Sequence, residues 1–174
     1  MLRICLSLLL FFSFNLPSLA AAQQTTYTVQ QVINGGKIVL NNGEVVRLIG
    51  VSAPKKPKDD KPKSAPMSWW RRSKEFTESL VKNRKIWLEY GKDRKDKQGN
   101  TWAYVFFKVP DGQSLGAAGE KIFATSGTYM LNRLIIRYGM ATVRNPFSFQ
   151  YRSQFQMMEN EAKRNQTGLF QTNF

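Results

Sequence analysis

Three short β-forming runs separated by two glycine-containing turns, all between Tyr27 and Val51, constrain this chain more than any other feature. Tyr27 to Ile33 alternates and is rich in β-formers. Asn34-Gly35-Gly36 is turn chemistry, and Lys37-Ile38-Val39-Leu40 is a second run. Asn41-Asn42-Gly43 follows, a strong hairpin signal because Asn and Gly tolerate the positive φ that such turns need. Glu44 to Val51 supplies the third strand. The segment reads as an opening antiparallel meander.

The composition then changes abruptly. Pro54 to Pro66 holds four prolines and five lysines, which exclude a helix or a central strand and predict an exposed loop. Ser68 to Asn83 reads as a helix, with Trp69, Phe76 and Leu80 sharing a face. Lys85 to Tyr90 and Trp102 to Val109 are two further strands, joined by the charged turn Gly91 to Asn100. Pro110 to Ser126 is Gly-rich with weak periodicity and reads as a long loop or insertion. Tyr129 to Tyr138 predicts a short amphipathic helix with Gly139 at its C-cap, and a last helix runs from about Ser148 to Gln166, closed by Gly168. Five short strands interrupted and followed by three helices predict an α+β fold centred on a small barrel.

Charge bounds the partners. The 174 residues carry 26 Lys and Arg against 12 Asp and Glu, a net +14 that attracts polyanions such as nucleic acid, anionic lipid or acidic envelope polymers. The chain opens with Arg3, an apolar stretch from Ile4 to Phe14, a break at Asn15 and Pro17, and the small residues Ser18 to Ala22. That pattern predicts a secretory signal peptide over residues 1–22, a single domain over 23–174, and a secreted, periplasmic or envelope location. Its removal takes away one basic residue and no acid, so the excess charge belongs to the folded part. There is no His, and the one cysteine, Cys5, lies in the apolar leader. A Ser/His/Asp triad, a mature Cys nucleophile, a His/Cys zinc site and an internal disulfide are thereby excluded.

Four pieces in order carry a family resemblance. Val32 to Ile38 followed by Val46-Arg47-Leu48-Ile49-Gly50-Val51-Ser52-Ala53-Pro54 is similar to the opening of staphylococcal (thermonuclease-type) nucleases. Asp96-Lys97-Gln98-Gly99-Asn100 with Ala103-Tyr104-Val105 resembles their second signature. Leu131-Asn132 with Gly139-Met140-Ala141, and the closing Gly168-Leu169-Phe170, fit the helical end of the same family. The resemblance implies an OB-like five-stranded barrel with three helices. It also implies hydrolysis of DNA and RNA phosphodiesters with one Ca²⁺.

The residues that should perform that hydrolysis are largely replaced. The family pattern puts acids at the positions of Asn34, Gly36 and Ser52, a Glu at Lys55, and arginines at Arg47 and Asn100; only Arg47 survives. Ca²⁺ needs several oxygen ligands, chiefly carboxylates. Gly36 has no side chain, Ser52 offers a neutral hydroxyl, and Lys55 places a positive charge where the cation would sit. Lys55 also has no lone pair with which to take a proton from water when charged. Loss of the second arginine at Asn100 removes a bidentate phosphoryl contact.

The resulting expectation is a catalytically degenerate nuclease-like domain that binds an anionic polymer, most simply single-stranded nucleic acid, with no metal and no cofactor. Arg47 and Lys97 are the candidate phosphate-binding residues; each has a plainer reading, Arg47 as a locally paired surface arginine and Lys97 as a solvated turn lysine. Trp69 and Trp70, beside Arg71 and Arg72, either stack on bases or pack against the barrel. Two alternatives stand beside this reading: an active nuclease with a relocated metal site drawing on Asp59, Asp60, Asp93 or Asp96, and an envelope interaction module using the 54–66 loop and the 110–126 insertion.

Overall fold

The computed structural model describes residues 24–58, 67–111, 115–117, 120–122, 126–144 and 148–172. The predicted leader at 1–22 and the greater part of the 54–66 loop, with Asp59 and Asp60, lie outside them.

The meander forms as its turns dictate. Strand β1 (Thr26–Asn34) pairs antiparallel with β2 (Lys37–Leu40), which pairs with β3 (Val45–Leu48) across the Asn41–Gly43 turn. Alternation puts Val29, Val32, Ile38, Leu40, Val46 and Leu48 inside, each with no solvent exposure. The predicted third strand, Glu44 to Val51, is in fact broken. At Gly50 (φ +75°) the chain turns, and β4 (Val51–Ser52) pairs instead with a short strand that follows the second helix. A side chain at Gly50 would meet the Phe149 ring at 2.6 Å as well as the wrong φ.

The barrel closes through β5 (Lys85–Lys95) and β6 (Thr101–Val109). β5 pairs with β1 and with β6, and β6 returns to run parallel to β3, so that β3-β2-β1-β5-β6 is a ring of five. This is the five-stranded OB-like barrel that the sequence implied. The predicted turn from Gly91 is shorter than expected: β5 continues to Lys95, with a register irregularity after Tyr90, and only Asp96–Asn100 turns.

Helix α1 (Trp69–Val81) begins at Ser68, whose hydroxyl accepts from the Arg71 amide. It buries Phe76, Leu80 and Val81 against the barrel. The region read as an unstructured insertion contains a hairpin, β7 (Leu115–Ala117) with β8 (Glu120–Ile122). Tyr129, predicted to open a helix, instead lies in β9 (Gly127–Met130), which adds to the free side of β6 as a sixth strand. Its β-forming Thr128 and Tyr129 find ladder partners in Lys108 and Phe107, and helix α2 (Leu131–Arg137) starts only afterwards. The strand that pairs with β4 is β10 (Thr142–Val143), and α3 (Arg152–Arg164) closes the fold, ending before a single 3₁₀ turn at Gly168–Phe170. No helix among the described residues is long and apolar enough to cross a membrane.

Two contacts hold the helical end to the barrel. Asn132 is fully buried; its amide donates to the Ile49 carbonyl at 2.9 Å and its oxygen accepts from the Val105 N–H at 3.0 Å. One side chain thus ties α2 to β6 and to the corner where β3 becomes β4. Gly139 and Gly168 lie back to back, with the Leu169 N–H donating to the Gly139 carbonyl at 2.8 Å. Both have positive φ, and a Cβ on either would come within 2.3 Å of the other segment's backbone.

Candidate functional site

Where β1 turns into β2, and β4 leads into the segment around Lys55, the barrel wall forms an open cradle of about 320 Å³. The Asn34-Gly35-Gly36 turn makes its floor, with the Asn34 side-chain oxygen accepting from the Gly36 N–H at 2.8 Å. Gly35 lies so close to α1 that a Cβ there would overlap the Ser73 hydroxyl. Lys37 and Arg47 stand opposite one another in the β2–β3 register. Ser52 and Lys55 border the other side, and Arg144, just after β10, completes the rim.

The electrostatics are one-sided. Among the described residues, Lys37, Arg47, Lys55 and Arg144 line the cradle, and no carboxylate does. Burial, and next the nearby Arg47 charge, press the Arg144 guanidinium below its ordinary range, against the opposing pull of Asp96. Burial is the larger cause, and the neighbouring cation adds to it.

Asp96 sits behind Arg47, and both of its oxygens are already engaged. Its Oδ2 lies 3.2 Å from Arg47 Nη1. Its Oδ1 accepts from the backbone N–H groups of Gln98 and Asn100 at 2.9 and 3.0 Å, and the Asn100 amide donates to both oxygens. Burial alone would raise the Asp96 pKa; the hydrogen bonds from the Asn100 side chain, the Gln98 N–H, Arg47 and the Asn100 N–H overcome it and hold the value at about 2. Asn100, at the position of the family's second arginine, is therefore folded back into its own turn.

The predicted residues divide. Arg47 lines the cradle and pairs locally with Asp96. Lys97 is exposed on the Asp96–Asn100 turn and is not among the lining residues. Lys37 and Arg144 were not foreseen. Arg144 carries no local signal, since only the fold brings it to residues 34–55. Lys37 had one: it stands as far before the centre of the Asn41–Gly43 turn as Arg47 stands after it. Trp69 packs against the core with Arg72 over its ring at 5.0 Å, and Trp70 lies between Lys56 and Lys74 at 5.3 and 5.7 Å.

Arg144 also borders a second, more enclosed cavity of about 320 Å³. Its walls are aromatic, with Tyr90, Trp102, Tyr104 and Phe149, and Gly50 and Gly91 contribute no side chains to fill it. Asp93, one of the acids considered for a relocated metal site, lies at this cavity and not in the cradle.

The staphylococcal nuclease homologue family model matches residues 45–172. The chain belongs to that family. It is 27% identical over 150 residues to a thermonuclease of Staphylococcus intermedius, an alignment covering 84% of this chain and 76% of that protein. A thermonuclease of Staphylococcus hyicus is 26% identical over 87% of this chain and 79% of its own length. An uncharacterized protein of Methanocaldococcus jannaschii is 26% identical over 82% of this chain and 70% of its own.

The calcium ion implied by the staphylococcal nuclease family does not fit the residues present. The cradle presents an amide oxygen already engaged by Gly36, a neutral hydroxyl at Ser52 and four cations. A divalent ion there would be repelled where the family pattern supplies carboxylates. Among the described residues no three acidic, His or Cys side chains cluster to hold a metal elsewhere.

Proposed function

We propose that this nuclease-like domain binds an anionic polymer, most simply single-stranded nucleic acid, and does not hydrolyse it by the calcium chemistry of its family. One observation carries the reading: four cations from three separate stretches of chain converge on the cradle, and among the described residues no carboxylate lines it. In this reading a phosphate sits among Lys37, Arg47 and Arg144, and an adjacent base enters the aromatic cavity that shares Arg144. Asp96 orients Arg47 and fixes the turn; it is not offered to a metal. The leader-like segment 1–22 supports action outside the cytoplasm.

The test is cleavage and binding of labelled single-stranded DNA by the protein lacking its leader, with Ca²⁺, Mg²⁺ or chelator. The expected result is no cleavage above that of an Arg47→Ala control, and binding that weakens steeply with salt as counterions are released. Metal-dependent cutting lost in the control variant would overturn the proposal. So would binding indifferent to salt.

A further inference from the structure

The outer face of the barrel carries a second basic surface, remote from the cradle. β6 runs from Trp102, the register partner of Arg47, to Lys108, so the two lie roughly 20 Å apart along the strand. Here the outer face of β1, β5, β6 and β9 presents two rows. In one, Thr26, Trp87, Phe106 and Met130 stand side by side. In the other, one step farther along β6, are Thr28, Lys85, Lys108 and Thr128. Helix α3 covers this face at Tyr104, against which Tyr151 and Phe155 pack, and its Met158 reaches the Thr128 and Met130 side of the two rows, leaving Lys85 and Lys108 exposed and Trp87 and Phe106 partly so.

The rows have complementary characters. Lys85 and Lys108 face each other directly across β5 and β6, one step past the Ile86–Phe107 pair, and a like-charged cross-strand pair is destabilising unless something anionic lies over it. Among the described residues neither makes an ion pair. Lys82 and Arg84 extend the charge along the same edge. Arg84 is fixed by its bonds to the Leu80 and Lys108 carbonyls, with no carboxylate partner. The acids near this edge are Glu78, 4.0 Å from Lys82, and Asp111. Beside the lysines, the Trp87 and Phe106 rings lie within 14° of parallel at 5.8 Å and are only partly buried. A groove of about 660 Å³ runs between Trp87 and the four cations.

We infer that this face is a second binding surface for single-stranded nucleic acid, with Trp87 as a stacking platform for a base and Lys85, Lys108, Lys82 and Arg84 tracking the phosphates. Flat aromatic rings on a sheet beside a basic edge suit a ligand that alternates planar rings with charges. They suit a bilayer less well, because insertion needs protruding apolar side chains. Among the described residues the exposed large apolar side chains, Ile33, Met67 and Met157, lie elsewhere. The surface makes no use of Arg47 or the cradle, so it stands independently of the function proposed above. A strand long enough to engage both surfaces would be held along the barrel wall.

The experiment measures the affinity of the leader-less protein for fluorescein-labelled oligothymidylate of about twenty nucleotides, by anisotropy across a salt series. Lys85→Gln/Lys108→Gln is expected to weaken binding on the order of tenfold at low salt and to flatten the log–log salt slope by about 1.4, or ~0.7 per lost contact. Trp87→Ala is expected to weaken it by roughly tenfold, with Trp87→Phe recovering most of the loss. Lys37→Gln/Arg144→Gln reports separately on the cradle. If both rear-face variants bind as the unaltered protein does while the cradle variant fails, the second surface is refuted and the cradle reading stands. If the rear variants fail and the cradle variant does not, the second surface stands and the cradle reading falls. Phosphatidylglycerol vesicles that sediment the protein through Lys85 and Lys108, with oligonucleotide binding unaffected by those substitutions, would overturn the inference in favour of a membrane.

Discussion

The turn at Asp96–Asn100 and the cradle between Asn34 and Lys55 are neighbours that share Arg47, yet their chemistry has diverged in opposite directions. The turn keeps an acid, and that acid is consumed by four different donors, two of them in the backbone of the turn itself. The cradle, bounded by the close-packed Gly35 and the exposed Ser52, presents cations and no acid among the described residues. A carboxylate that survives beside a reaction site is thus no sign of surviving chemistry: what counts is whether its oxygens are free. Arg47 illustrates the same point, because a local partner suffices to hold it in place without any metal or catalytic acid.

The comparison can be broken by loosening the frame that both regions share. Asn132 fixes the Ile49–Gly50 corner between Arg47 and Ser52, and Asn132→Leu would leave the Val105 N–H and the Ile49 carbonyl buried and unpaired. A loss of about 3 kcal/mol is expected, visible as a fall in Tm of roughly 10 °C by calorimetry. A change within a degree or two would mean that the corner is held by packing alone.

Removing the turn's charge should have the next largest effect. The folded pKa of Asp96, about 2, lies below the ordinary 3.8, so its contribution is fully present above about pH 4 and is lost as pH falls through 2. Asp96→Asn should cost about 2 kcal/mol at pH 7, with the gap from the unaltered protein closing only below about pH 4. Denaturant titrations at several pH values measure this. The same substitution should weaken oligonucleotide binding, since Arg47 loses the partner that orients it; tighter binding would show that Asp96 only offsets the charge of Arg47.

The smallest effects belong to the individual cradle cations. Each of Lys37→Gln and Arg144→Gln should reduce the salt slope of binding by about 0.7, whereas Lys97→Gln should leave it unchanged. A slope that moved with Lys97 and not with Lys37 would relocate the phosphate to the turn.

Legibility followed the range of the interactions. The first three strands were readable because Asn34-Gly35-Gly36 and Asn41-Asn42-Gly43 encode their own turns within a few residues. Ser68 marked the start of α1 for the same reason. Tyr129 was misread because Tyr129, Met130, Leu131 and Leu134 have helical spacing, and only pairing with β6 makes the first two a strand. The charged end of β5 passed for a turn because a strand that leaves the barrel needs no apolar alternation. In the site, Arg47 and Lys55 were legible residue by residue, while Lys37 and Arg144 were not. Arg144 reaches the cradle only through the β4–β10 pairing.

The most direct test of the central claim is a calorimetric titration of Ca²⁺ into the leader-less protein, alongside a variant carrying Gly36→Asp, Ser52→Asp and Lys55→Glu. Gly36 does not have positive φ, and a Cβ there would meet nothing closer than 3.4 Å, so the added side chain has room. The account predicts no binding heat for the unaltered protein, and heat in the variant together with weakened oligonucleotide binding. Stoichiometric Ca²⁺ binding by the unaltered protein, lost on Ser52→Ala, would contradict it.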